Sequence, residues 1–161
     1  DEMPEVRAAV LPVSYRATRR SLLDLFDQYH PRIWIGLGYA PHRTTLDIET
    51  VAVNMEHSTG PDNDGEQPWM REIVADGPPA YRTRLNIEKT IEVFARKEVE
   101  AVPGFHAGTF LCNQTFYLGC HRCEVDNDLG LASFIHVPPM DDYGPFESGL
   151  RALISELNLS P

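Results

Sequence analysis

The sequence predicts an α/β sandwich, and three observations carry that expectation. Short apolar runs of strand length alternate with stretches in which apolar residues recur every three or four positions. Glycine and proline punctuate the boundaries between them. Hydrophobic residues make up 42% of the 161, enough to fill one core of ordinary size, so the expectation is one domain spanning 1–161.

The elements follow in order. Val6 to Val13 (VRAAVLPV) reads as a first strand ended by its proline. Ser14 is placed to cap a helix whose stripe is Ala17, Leu22, Leu25, Phe26 and Tyr29, stopped at His30-Pro31. Arg32 to Gly38 (RIWIGLG) is continuously apolar, as in a strand buried on both faces of a parallel sheet, and would complete a βαβ unit. Leu46 to Met55 alternates as a strand and runs into a loop, from about residue 56 to 80, rich in turn formers; an active-site flap and a plain surface excursion are both compatible with it. Tyr81 to Leu85 reads as a short strand, and Asn86 introduces a helix carrying Ile87, Ile91 and Phe94. Glu100 to Phe105 reads as extended, Thr109 to about Cys123 as helical, and Leu129 to Val137 as a strand stopped by Pro138-Pro139. A last amphipathic helix, Phe146 to Leu157, carries Leu150, Leu153, Ile154 and Leu157.

The charge balance narrows the function. A formal net charge of −10 makes the phosphate term repulsive, which argues against nucleic acid and against anionic membranes. No run reaches the roughly 18 apolar residues that span a bilayer, and the acidic start DEMPEVR lacks a signal peptide's basic flank. A cytoplasmic protein with small or peptidic partners is expected. Cys112, Cys120 and Cys123 are too few and too clustered for a secreted disulfide framework, so reduced thiols are the reading. Cys120-His121-Arg122-Cys123 has CxxC spacing but no second ligand pair, and packing accounts for it more simply than metal.

Three residues have chemistry available to them. In AGTFLCNQTFY, residues 107–117, a glycine-containing turn delivers Cys112 into the first turns of a helix, where free N–H groups favour an anion and can stabilise an oxyanion. A buried cysteine packed as a small hydrophobe is the plainer alternative. His136 ends a strand on the sheet edge where ligands collect in open α/β folds, so it can serve as base to Cys112 or be a packing residue. Glu49 shares one face of the strand DIETVAVNM with Asp47; it can orient an imidazole or be a solvated edge residue. His30, His42, His57 and His106 read as loop or capping residues, with His106 near enough to Cys112 in sequence to line a site.

The wording around these residues goes further. VAVN followed by PDNDGEQP, then AGTFLCNQTFY, then FIHVPP, in this order, resembles pyroglutamyl peptidase I, the cysteine peptidase that removes an N-terminal pyroglutamyl residue. The likeness runs from about Val10 to the last helix and includes LPVSY, GLG and GPPAYRTRL. It implies a three-layer α/β/α sandwich with a mixed, mostly parallel sheet. It implies catalytic roles for Glu49, Cys112 and His136, substrate contacts by Phe110, Leu111 and the backbone of Tyr39, and no metal or organic cofactor. The implied substrate is a peptide or small amide with an N-terminal pyroglutamate, and a homo-oligomer is left open. The chain departs from the family pattern at Thr59, where an arginine is usual, and at Tyr39, Pro41 and His42. It also lacks the family's opening strand and TGFGPFGG-type turn, so an N-terminally incomplete domain is expected. Two alternatives stand beside the peptidase: a binding protein that keeps the fold without turnover, and a cysteine amidohydrolase for another small cyclic amide.

Overall fold

The structure, a computed structural model, describes residues 5–126 and 129–159. Its elements are α1 (Tyr15–Tyr29), β1 (Ile33–Tyr39), β2 (Leu46–Glu49), β3 (Val51–Val53), β4 (Ala80–Arg82), α2 (Ile87–Ala95), β5 (Ala101–Gly104), α3 (Leu111–Val125), β6 (Leu131–Val137) and α4 (Gly144–Leu159). The main sheet has the order β1-β6-β2-β5, and β3 and β4 form a separate antiparallel ribbon. β1 runs parallel to β6 and β2 parallel to β5, whereas β2 meets β6 antiparallel through Asp47↔His136 and Ile48↔Ile135. The sheet is therefore mixed and mostly parallel, as expected.

Strand alternation divides the core into two layers. Trp34, Ala132 and Phe134 pack with Leu22 and Phe26 of α1 and with Phe116, Leu118 and Cys120 of α3. Leu46, Ile48, Ile135 and Val137 pack on the opposite side with Val93 and Phe94 of α2 and Phe146 and Leu153 of α4. The sheet thus lies between two helix pairs. Ser14 caps α1 by accepting from the Ala17 N–H at 3.1 Å, and Asn86 caps α2 by accepting from Lys89 at 3.0 Å; both satisfy orphan N–H groups at helix starts. His30 closes α1 in the left-handed region, with φ of 44°, and donates its N–H to the Phe26 carbonyl.

Three expectations are corrected. Val6 to Val13 forms no strand among the described residues: Val6, Val10 and Val13 are exposed, and only Leu11 packs against the core. An apolar run without a neighbouring strand has nowhere to place its backbone hydrogen bonds as a ladder, so the predicted βαβ unit is absent from the described residues. β1 pairs with β6 alone among the described residues, and it is not buried on both faces: Leu37 and Tyr39 stay 48% and 66% exposed. The stretch 46–55 is two strands. At Thr50 the chain leaves the main sheet, pinned by the Thr50 N–H and hydroxyl to the Gly104 carbonyl at 2.8 and 2.7 Å, and continues as β3 in the ribbon.

The loop 56–80 is fastened to the body by buried polar groups. Glu56 is fully buried and accepts from Gln114 Nε2 at 2.7 Å, from Arg71 Nε at 2.7 Å and from Arg19 at 3.2 Å. Asp62 accepts backbone N–H bonds from Tyr15, Asp64 and Glu66, and these hold its carboxyl below the usual range against the opposing cost of desolvation. PDNDGEQP is therefore a structured knot against the start of α1.

Candidate active site

Cys112, His136 and Glu49 come from three separate elements and converge on the α1/α3 side of the sheet. Glu49 is the last residue of β2, and Ile48 beside it points into the α2/α4 core, so period-two alternation turns Asp47 and Glu49 to the opposite face. His136 is the sixth residue of β6, opposite Asp47 on one side and Gly38 on the other. Cys112 is the second residue of α3, half-buried, in a helix start with no side-chain cap. The first-turn N–H groups there are left to point at whatever sits in front of the thiol.

His136 Nδ1 lies 2.7 Å from Glu49 Oε1, and the imidazole is also hydrogen-bonded to the Cys112 side chain. With Nδ1 on the carboxylate, Nε2 is the nitrogen that serves the thiol. Burial pulls the His136 pKa down, but its hydrogen bonds to Cys112 and Glu49, followed by their charges, more than reverse that and raise it to about 9. The ring is thereby poised to carry a proton beside the sulfur. Phe134 flanks it, with ring centroids 5.1 Å apart.

Glycines shape the cradle. A Cβ on Gly38 would lie 2.8 Å from the Phe134 ring and 3.0 Å from Cys112 Sγ, so only glycine lets β1 pass this close to the thiol. A Cβ on Gly104 would lie 2.6 Å from Glu49 Oε2. Gly108, in the turn before α3, has φ of 81°, and its N–H donates to His106 Nδ1 at 3.0 Å.

Of the predicted substrate contacts, Phe110 and Leu111 flank Cys112 at the helix start, half-buried, with Phe110 edge-on to Tyr15 at 5.2 Å. Tyr39 turns its side chain to the face opposite Gly38 and Cys112, which leaves its backbone, beside Val137, as the part near the site. Thr59 is exposed, but His57, two residues earlier, is laced to the turn that leads to Cys112: its N–H donates to the Thr109 carbonyl at 3.0 Å, and its own carbonyl accepts from Thr109 Oγ1 at 2.8 Å. His106 is exposed and enters the site through its carbonyl. Cys120 and Cys123 are buried along α3, and desolvation raises their pKa values to about 12 and about 11, which leaves them poor nucleophiles. Among the described residues no group of three or more His, Cys, Asp or Glu is placed to hold a metal, and no helix is long and apolar enough to cross a membrane.

Two residues that sequence reasoning did not single out also shape the site. Asn113 follows the thiol and bonds to the end of β3, accepting from the Val53 N–H at 2.9 Å and donating to the Val53 and Met55 carbonyls at 2.9 Å each. Its adjacency to Cys112 in AGTFLCN was the available signal. Arg43, in the loop between β1 and β2, reaches Glu49, Asp47 and the His106 carbonyl. Its spacing of four residues before Asp47 was the only hint.

An α/β/α sandwich that brings a helix-start thiol, an imidazole and a buried carboxylate together has the framework of a thiol hydrolase. The family model for pyroglutamyl peptidase matches residues 2–145, and the chain belongs to that family. It is 38% identical over 135 residues to a pyrrolidone-carboxylate peptidase of Pseudomonas fluorescens, covering 83% of this chain and 62% of that protein. To the pyrrolidone-carboxylate peptidase of Yersinia pestis (strain Pestoides F) it is 33% identical over 149 residues, covering 92% and 69%. The chain thus spans about three-fifths of the Pseudomonas relative's length. Its fold matches a mutant pyrrolidone carboxyl peptidase of Pyrococcus furiosus with a TM-score of 0.88 at 27% identity, over 94% of this chain and 81% of the other. The enzyme from Fervidobacterium islandicum matches with a TM-score of 0.78 at 30% identity, over 92% and 77%.

Proposed function

We propose that the chain acts as a cysteine exopeptidase that hydrolyses the amide bond after an N-terminal pyroglutamyl residue. The 2.7 Å contact of His136 Nδ1 with Glu49, behind a ring that bonds the thiol at a helix start, is the observation that carries it. Family membership adds the substrate class.

In this reading the Cys112 sulfur attacks the carbonyl carbon that joins pyroglutamate to the next residue. The N–H groups at the start of α3 take the oxyanion. His136 passes its proton to the departing amine as the C–N bond breaks, leaving a thioester on Cys112. Water then attacks the thioester, giving its proton to His136, and the thiol and free pyroglutamate are released. Glu49 holds the ring and balances the imidazolium charge. Phe110 and Leu111 supply apolar walls for the lactam, and backbone groups near Tyr39 supply hydrogen bonds that substrates without the lactam would leave unmade. Three free thiols suit a reducing, cytoplasmic setting.

The test is release of a chromogenic amine from pyroglutamyl, prolyl and glutamyl amides under one set of conditions. Turnover confined to the pyroglutamyl amide is expected. Faster turnover of either competitor, or none of the pyroglutamyl amide, sinks the reading.

A pH dependence follows from His136. Its folded-state pKa lies above the usual 6.5, so the protonated ring is favoured by folding, and that stabilisation is complete below about 6.5 and lost as pH rises through about 9. The proton donated to the leaving amine disappears over the same range. The pH profile of kcat/KM should therefore carry an alkaline limb near 9, with thermal stability falling alongside it; a limb near 6.5 would place the ring in an ordinary environment.

A further inference from the structure

Glu49 and Asp47 project from one face of β2, and both are nearly or fully buried. Two carboxylates so placed repel each other and need a cation. The titratable and charged groups facing His136 are these two on β2, the Cys112 thiol group from α3, and Arg43 from the loop after β1. The Arg43 guanidinium lies 3.3 Å from Glu49 Oε1, pairs with Asp47 through its other terminal nitrogen, and donates to the His106 carbonyl at 3.3 Å. His106 in turn receives the Gly108 N–H on its ring, inside the turn that leads to Cys112. One planar cation therefore joins the carboxylate arm of the site to the turn that carries the thiol. Glu49 Oε2 has no hydrogen-bond partner among the described residues, so Oε1 takes both His136 and Arg43 and fixes the rotamer alone.

We propose that Arg43 is a positioning residue: it holds Glu49 against His136 and ties the 105–108 turn to β2, so that thiol, imidazole and carboxylate stay in register. The role rests on the thiol hydrolase reading above. A forked guanidinium suits it, because it reaches several acceptors in fixed geometry where an ammonium acts as a single point charge.

The experiment compares the full chain with Arg43→Gln and Arg43→Lys, following the His136 ring by NMR titration and measuring kcat/KM on the pyroglutamyl amide. In Arg43→Gln the carboxylate is no longer held on Nδ1, so the His136 midpoint falls by about one unit or more. Its kcat/KM falls about 100-fold, as when a reacting group is misplaced by about 1 Å. Arg43→Lys keeps the charge and the midpoint but cannot bridge both arms, so kcat/KM alone drops. A cation that is merely nearby predicts the opposite shift, because removing a positive charge beside an imidazolium raises its midpoint. A raised or unchanged midpoint in Arg43→Gln overturns the proposal. If that variant does not fold, Arg43→Lys decides, and wild-type kcat/KM in it overturns the proposal equally. An ordinary His136 midpoint in the unsubstituted chain refutes the triad reading itself, apart from any role of Arg43.

Discussion

Cys112→Ala is expected to remove turnover of the pyroglutamyl amide altogether, a loss of about 10,000-fold or more in kcat, while leaving the fold intact. In the proposed mechanism the thiol supplies the bond-forming sulfur, and the other two cysteines are poorly placed to replace it: Cys120 and Cys123 lie buried within α3 with thiols pushed up to about 12 and about 11 by desolvation. Replacement removes one half-buried sulfur at a helix start, which costs little packing. His136→Ala should fall nearly as far, and the double variant no further, because nucleophile and proton carrier act as a unit. Measurement of kcat for the two single variants and the double variant checks this, with urea midpoints as the control for folding. Residual turnover in Cys112→Ala within about 10-fold of wild type would mean that the attacking group lies elsewhere.

The sequence made the three candidate residues legible because each sits beside a strong local signal. Gly108 before Cys112 marks a turn into a helix, Pro138-Pro139 after His136 marks a strand end, and the alternation of DIETVAVN places Glu49 on one face of a strand. Helices were legible for the same reason: Ser14 and Asn86 are the caps observed. The errors arose where a segment's state depends on partners distant in the chain. VRAAVLPV is apolar enough for a strand but finds no neighbouring strand among the described residues, and RIWIGLG reads as doubly buried because an apolar run does not show which faces the rest of the fold covers. The break at Thr50 was invisible because it depends on the Gly104 carbonyl, 54 residues away. Arg43 escaped notice for a related reason. Its partners Asp47 and Glu49 are close in sequence, but the His106 carbonyl that makes it a bridge is 63 residues away.

Long-range constraint also sets Gly104 against the Glu49 carboxylate, and Gly104→Ala should show what that contact does. Gly104 ends β5 in register with Glu49, and an added methyl would sit 2.6 Å from Oε2 and 2.7 Å from Cδ. Either backbone or carboxylate has to give. The backbone is held, because the Gly104 carbonyl accepts both the N–H and the hydroxyl of Thr50. The carboxylate is the softer partner, although Glu49 is fully buried and has no solvent to swing into. It therefore shifts within the site, and its Oε1 leaves the 2.7 Å contact with His136. Misplacement by about 1 Å is enough to lower kcat/KM about 100-fold, and overpacking at such a position costs about 1–3 kcal/mol of stability. Because the imidazolium loses its counter-ion, the alkaline limb of the pH profile should move down from near 9 at the same time. Gly60→Ala is the matched control, since a methyl there meets nothing within 4 Å. If Gly104→Ala lowers the unfolding midpoint but keeps wild-type kcat/KM and the limb near 9, then the Glu49 contact does not set the state of His136, and the carboxylate is structural only.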